Sequence, residues 1–189
     1  MLLAMLRVIW RKILTDSNRL ITKTQLGIIT IWLSFTIAAF GYFISDKLVD
    51  FDEMHKLKNI NQQNISNYLS HYISRNKANQ RVQTVVHFST PNCDCQQYSE
   101  EHIQDINTLA TTNGFNVKEV TISEDKILPA TPSVALIDNT GNVIYFGPYG
   151  QGLACSQTAG YAQTMLNNYI KGYSANIVIK QAKGCYCAV

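Results

Sequence analysis

Leu26 to Ile44, LGIITIWLSFTIAAFGYFI, is a run of nineteen residues without a charge, and it limits what this chain can become. At about 1.5 Å per residue, a helix of that length spans roughly 28 Å, enough for the hydrocarbon layer of a bilayer. A buried core helix is the other home for such a run, but core helices seldom stay apolar on every face for so long. A cleaved leader is a further alternative. The basic lead is long for one, and no small-x-small site follows before Ser45 and Asp46. The sequence therefore predicts a single transmembrane helix over 26–44, with the membrane as partner through the chain's own span.

Flanking charge sets an orientation. Arg7, Arg11, Lys12, Arg19 and Lys23 precede the span against Asp16 alone, while Asp46, Asp50, Asp52 and Glu53 follow it with only Lys47 in opposition. The positive-inside bias predicts residues 1–25 in the cytoplasm and the C-terminal domain in the periplasm, a single-pass protein of the cytoplasmic (inner) membrane. Met1 to Trp10 is apolar with basic residues just after it, so it reads either as a short helix on the inner leaflet or as leader sequence without a further role. Of the formal net charge of +3, the first 25 residues carry +4 and the remainder −1, so the folded part has no basic footprint and nucleic acid is not expected as a partner.

Beyond the span, residues 45–80 read as a polar helical stalk. Ile60, Ile65, Leu69 and Ile73 recur at roughly helical spacing among Asn, Gln and Ser, the pattern of a connector helix packed on the domain. A domain is expected over 81–175. Val82 to Phe88 reads as a strand buried on both faces. A helix follows with Ile103, Ile106, Leu109 and Ala110 on one side, ended by Asn113–Gly114. Phe115 to Ile122 alternates as a second strand. Ser133 to Ile137 and Val143 to Phe146 form a hairpin about Asn139–Asn142. Ala162, Met165, Leu166, Tyr169 and Ile170 mark a last helix. The class is α/β, with helices covering both faces of one sheet. Residues 176–189 form a tail outside that core.

The chemistry lies in five cysteines, Cys93, Cys95, Cys155, Cys185 and Cys187, four of them in two C-x-C pairs. In an exported domain such pairs suggest redox exchange, disulfides or soft-metal binding. Cys93 falls where the first strand meets its helix, five residues beyond Phe88, and PATPSVALID places Pro132 directly before the third strand, with Thr131 before it. A thiol at a helix N-terminus feels unpaired N–H groups and the positive end of the dipole, which favours the attacking thiolate.

In that order and spacing the chain resembles the thioredoxin fold, a β-α-β-β-β-α core, over about residues 80–172. The resemblance implies a cis bond at Pro132, with the Thr131 main chain offered to an extended peptide. It also implies Cys93 as nucleophile, with Cys95 as its resolving partner. The runs STPNCDCQQYSEEH, PATPSVALIDNTGNVIYFGPY and GCYC are similar to an uncharacterised thioredoxin-like family of bacterial membrane-anchored proteins, over most of residues 80–189. The chain departs from the thioredoxin pattern in its C-x-C spacing and in Asn92 before Cys93. It departs again in His87, which stands where a buried acid is usual. His87 reads as a proton acceptor for a cysteine or as a hydrogen-bonded core histidine. Cys155 reads as a thiol near Cys93 or as a small buried residue.

These residues leave three functions open. Thiol–disulfide exchange through Cys93 and Cys95 on a protein thiol or disulfide substrate leads, with Cys155, Cys185 and Cys187 as auxiliary thiols and no cofactor. Soft-metal binding to Cu(I) or Zn(II) by the two C-x-C pairs is second, with His102 as a further donor or a solvated surface residue. Pro132 counts against it, and no intrinsic metal is expected. The third is a partner-binding module whose cysteines are structural staples.

Overall fold

The Thr30 and Thr36 hydroxyls donate to the carbonyls of Leu26 and Trp32, each at 2.8 Å, so both threonines of the apolar run are satisfied within its own helix. That helix, α1, spans Lys23–Lys47 in a computed structural model that describes residues 23–152, 160–173 and 176–189. Its large apolar side chains, Ile31, Trp32, Phe35 and Phe43 among them, are exposed, which disposes of the core-helix alternative. Thr24–Ile44 is long and apolar enough to cross a membrane, as an anchor or as a leader. The expected N-terminal segment, Met1 to Trp10, lies outside the described residues.

The chain divides into two units, 1–45 and 46–189. The second begins with β1 (Val49–Asp50), α2 (Gln62–Leu69) and a hairpin of β2 (Ser74–Arg75) and β3 (Arg81–Val82). Then come β4 (Thr84–Ser89), α3 (Glu100–Thr112), β5 (Asn116–Thr121), β6 (Ala130–Thr131), β7 (Ser133–Ile137) and β8 (Val143–Pro148). The chain closes with α4 (Tyr161–Ile170), β9 (Ile177–Val178), β10 (Lys183–Gly184) and β11 (Cys187–Ala188). Five strands form one sheet in the order β5-β4-β7-β8-β9. The β4–β5 pair is parallel and joined by α3, while β4–β7 and β7–β8 are antiparallel.

The hairpin between β7 and β8 is held by Asp138, whose Oδ1 accepts the N–H groups of Thr140, Gly141 and Asn142, each at 2.8 Å.

Every side chain of β7 and β8 is buried, so the sheet must be covered on both faces. Both helices of the expected core lie on one of them. Ile106 and Ala110 of α3 and Ala162, Met165 and Leu166 of α4 pack with Val85, Val134, Leu136 and Ile144. The expectation that these helices cover both faces is corrected accordingly.

The opposite face, with Val86, Phe88, Ala135, Ile137, Val143 and Phe146, is covered by Phe51, Leu57, Ile65 and Leu69. Those residues form the core cover of this face, and they lie in the stretch read as a polar helical stalk. Its helix is shorter than its periodicity suggests and is capped by Asn61, which accepts from Asn64 N–H at 2.9 Å. The tail is part of the fold too. Ala182 and Tyr186 belong to the same core cluster, β10 pairs with β1, and β11 pairs with β6.

Candidate thiol site

The strand β4 ends at Ser89 and the loop turns through Asn92, whose φ of 60° suits an asparagine. Cys93 follows in extended conformation and caps a 3-10 turn, Asp94–Ser99, that leads into α3. The α-helix proper starts only at Glu100. The dipole effect expected at Cys93 acts within the first turn of a helix, so it is weaker than the sequence suggests.

Two disulfides link the C-x-C pairs to each other. Cys93 is bonded to Cys187, and Cys95 to Cys185, with Cα atoms 5.9 and 5.4 Å apart. Cys93 and Cys95, read as nucleophile and resolving partner, are thus each bonded to a tail cysteine and not to each other. The sulfurs of Cys93, Cys95 and Cys187 lie within 4.8 Å of one another, so the two disulfides are neighbours. Cys93 and Cys95 are buried, whereas Cys185 and Cys187 are half-buried. Held as disulfides, these sulfurs offer no thiolate. Only after reduction do Cys93, Cys95 and Cys187 form a set that suits a soft metal.

The main chain fixes the tail in place. Cys187 stands opposite Thr131 and Ala188 opposite Ala130, antiparallel. The Thr131–Pro132 bond is cis, and the Cys93 sulfur touches the Thr131 carbonyl oxygen at 3.8 Å. A disulfide sulfur has no proton, so this is contact rather than a hydrogen bond until the bond opens. Lys56 Nζ donates to the Val189 main-chain oxygen, to Asp125 O at 2.6 Å and to Leu128 O at 3.3 Å. Lys183 O accepts from Gly152 N–H at 2.8 Å, and Ala182 O from Phe51 N–H at 2.8 Å.

Both ring nitrogens of His87 are engaged by oxygen partners. Its Nε2 lies 2.8 Å from Asn107 Oδ1 and its Nδ1 2.5 Å from the Tyr149 hydroxyl. With Nε2–H donating to the amide oxygen and Nδ1 accepting from the phenol, the ring is a satisfied neutral imidazole. Burial pushes its pKa down from 6.5 to about 4, with the Asn107 bond opposing weakly. This is the arrangement of a hydrogen-bonded core histidine. His102 is buried on α3, not solvated on the surface. Cys155 lies outside the described residues.

Sequence reasoning missed Phe51, Lys56, Gly152 and Tyr186 as the seat of the tail. The only signal was an apolar Phe51 between two acids and a tyrosine between two cysteines.

The chain matches no curated protein and no solved structure. One family model, described as a domain of unknown function, DUF6436, matches residues 59–189, more than half of the chain, and the protein belongs to that family.

Proposed function

We propose that the protein is a thioredoxin-like thiol–disulfide exchange module in which two C-x-C pairs face each other as two disulfides, able to accept two electron pairs. The observation that carries this reading is the position of Cys187, bonded to Cys93 while its main chain pairs with Thr131 beside Pro132. The strand order β5-β4-β7-β8, with cysteines after β4 and a cis-proline before β7, supports the thioredoxin likeness.

The exchange balances as follows. A thiolate of a partner dithiol attacks Cys93 Sγ, and Cys187 leaves as thiolate. The partner's second thiolate then attacks the partner's own sulfur in the mixed disulfide, closing the partner's disulfide and releasing Cys93 as thiolate. The partner is oxidised by two electrons and the Cys93–Cys187 bond is reduced; the reverse reaction reduces a partner disulfide. The reduced Cys93–Cys187 pair then passes its electron pair to the neighbouring Cys95–Cys185 bond by internal exchange, so that Cys93 remains the sole point of entry for a partner. Thr131 and Pro132 line the place where a substrate main chain would lie. The basic lead before α1 and the acids after it support an N-terminus in the cytoplasm and an exported C-terminal unit, where disulfides persist.

Full-length protein in detergent, reduced and mixed with a peptide disulfide, should reduce it, and Cys93→Ser should abolish the reaction. Retention of full exchange by Cys93→Ser would defeat this reading. A reporter active only in the cytoplasm, fused after Val189, should stay silent; activity there would overturn the orientation.

One observation favours a second reading. Ala182 and Tyr186 are buried in the core, as they would be if the disulfides were staples for a strand-poor tail. Under that reading no exchange occurs with any peptide, and reduction only lowers stability.

A further inference from the structure

The residue before the bonded cysteine has a pocket of its own. Tyr186 is buried, its ring edge-on to Phe51 with centroids 5.3 Å apart, and its hydroxyl donates to Gly150 O at 2.6 Å. Gly184, two residues earlier, lies under the ring: a Cβ there would sit 2.7 Å from the tyrosine Cζ and hydroxyl oxygen. Beyond the cysteine, Ala188 stands opposite Ala130, itself buried. The main chain is held on both sides, by Thr131 on β6 and by Cys185 N–H donating to Gly152 O at 3.3 Å. The ring of Tyr186 and the bare Gly184 beneath it thus fit one pocket, while Ala188 is exposed.

We propose that the tail is the resident ligand of a peptide-reading groove, and that the external partner of Cys93 is an extended protein segment with a tyrosine directly before its cysteine. This deepens the exchange reading above and rests on it. A mixed disulfide to Cys93 puts the partner's sulfur where the Cys187 sulfur lies. In the same antiparallel register on Thr131, the preceding side chain enters the space between Phe51 and Gly150. The step balances: the partner thiolate attacks Cys93 Sγ, the Cys93–Cys187 bond breaks, and Cys187 leaves as a thiolate.

The test uses the full-length chain in detergent with Cys95→Ser, Cys155→Ser, Cys185→Ser, Cys187→Ser and Tyr186→Ala, so that Cys93 is the sole cysteine and the pocket is empty. Cys93 is loaded as its glutathione mixed disulfide and equilibrated with the peptide Gly-Ser-Tyr-Cys-Ala-Val or Gly-Ser-Ala-Cys-Ala-Val, and intact mass reads the products. An edge-on aromatic contact and its buried area predict displacement about tenfold further for the tyrosine peptide. Restoring Tyr186 should bring the ratio near one, because the chain's own ring refills the pocket. Equal displacement by both peptides in the emptied variant overturns the proposal and leaves the exchange reading standing. No displacement by either peptide overturns both. Should Tyr186→Ala fail to fold, the same peptides are given at millimolar concentration to the wild-type chain and quenched in acid. The Cys93 adducts must then show the same preference, and equal adducts overturn the proposal.

Discussion

Cys187 faces Thr131 across an antiparallel main-chain pair, so the sulfur that closes on Cys93 is positioned by backbone as well as by its covalent bond. When the bond opens, the Cys187 thiol remains held beside Cys93 instead of diffusing away. Effective concentration is high in such an arrangement, and re-closure is favoured over capture by solution thiols.

The cross-links are nested, with sequence separations of 94 and 90. Most of the loop-closure entropy is removed by the first bond, and the second adds little. Opening one pair by Cys95→Ser with Cys185→Ser should therefore cost well under the roughly 2–4 kcal/mol expected for losing both. Urea midpoints of the wild type, the two double variants and the fourfold variant measure this. Equal, additive losses would show that each bond holds separate structure.

His87 gives the unit a specific acid sensitivity. Its pKa is about 4 when folded against 6.5 otherwise, so the unfolded chain takes up a proton first as pH falls. The contribution is fully present above pH 6.5 and is lost as pH falls to about 4, on the order of 3 kcal/mol in all. A denaturant series across that window should show the slope in the wild type and its absence in His87→Gln. An unchanged slope in the variant would place the acid sensitivity elsewhere. The thiol exchange rate should not follow this titration, since both ring nitrogens are committed to Asn107 and Tyr149.

The central strands were legible because they carry β-branched and aromatic residues on both faces, and the Asp138 turn because its residues are specific to tight turns. The cover of the second face was not. Phe51 stands between Asp50 and Asp52, which shows no apolar period. Asp52 reads as a charge marking the membrane's outer side, yet it is buried and accepts Lys56 N–H at 2.7 Å and Leu57 N–H at 2.8 Å, fixing the turn that aims Leu57 inward. The positions of Cys93 and Pro132 follow from local spacing. The pairing of Cys93 with Cys187 depends on where distant segments meet, which no local pattern encodes.

Thr131 contributes through its main chain, and its side chain is a liability. The Oγ1 atom is buried with no hydrogen-bond partner. A desolvated hydroxyl costs stability, so Thr131→Val should gain up to about 1 kcal/mol while leaving the pairing with Cys187 intact. Chemical denaturation reads the gain, and disulfide mapping checks the pairing. A loss of stability, or slowed exchange, would give the hydroxyl a partner once the Cys93 bond is open.

Gly184 is the position where one added methyl group separates the tail's packing from its covalent links. The backbone itself tolerates a side chain, but a Cβ would meet the Tyr186 ring at 2.7 Å and Gly152 O at 3.1 Å. The ring cannot give way easily, because Phe51 lies edge-on to it and Gly150 holds its hydroxyl. Overpacking of this kind costs about 1–3 kcal/mol. Gly184→Ala should therefore lower the urea midpoint with both disulfides still formed, as peptide mapping would show. With the ring displaced, Cys187 loses its fixed register on Thr131, and Cys93–Cys187 should open at a lower glutathione concentration than in the wild type. Tyr186→Phe removes only the bond to Gly150 and should shift both readouts in the same direction by less. If Gly184→Ala leaves stability and the reduction midpoint unchanged, Tyr186 does not seat the tail.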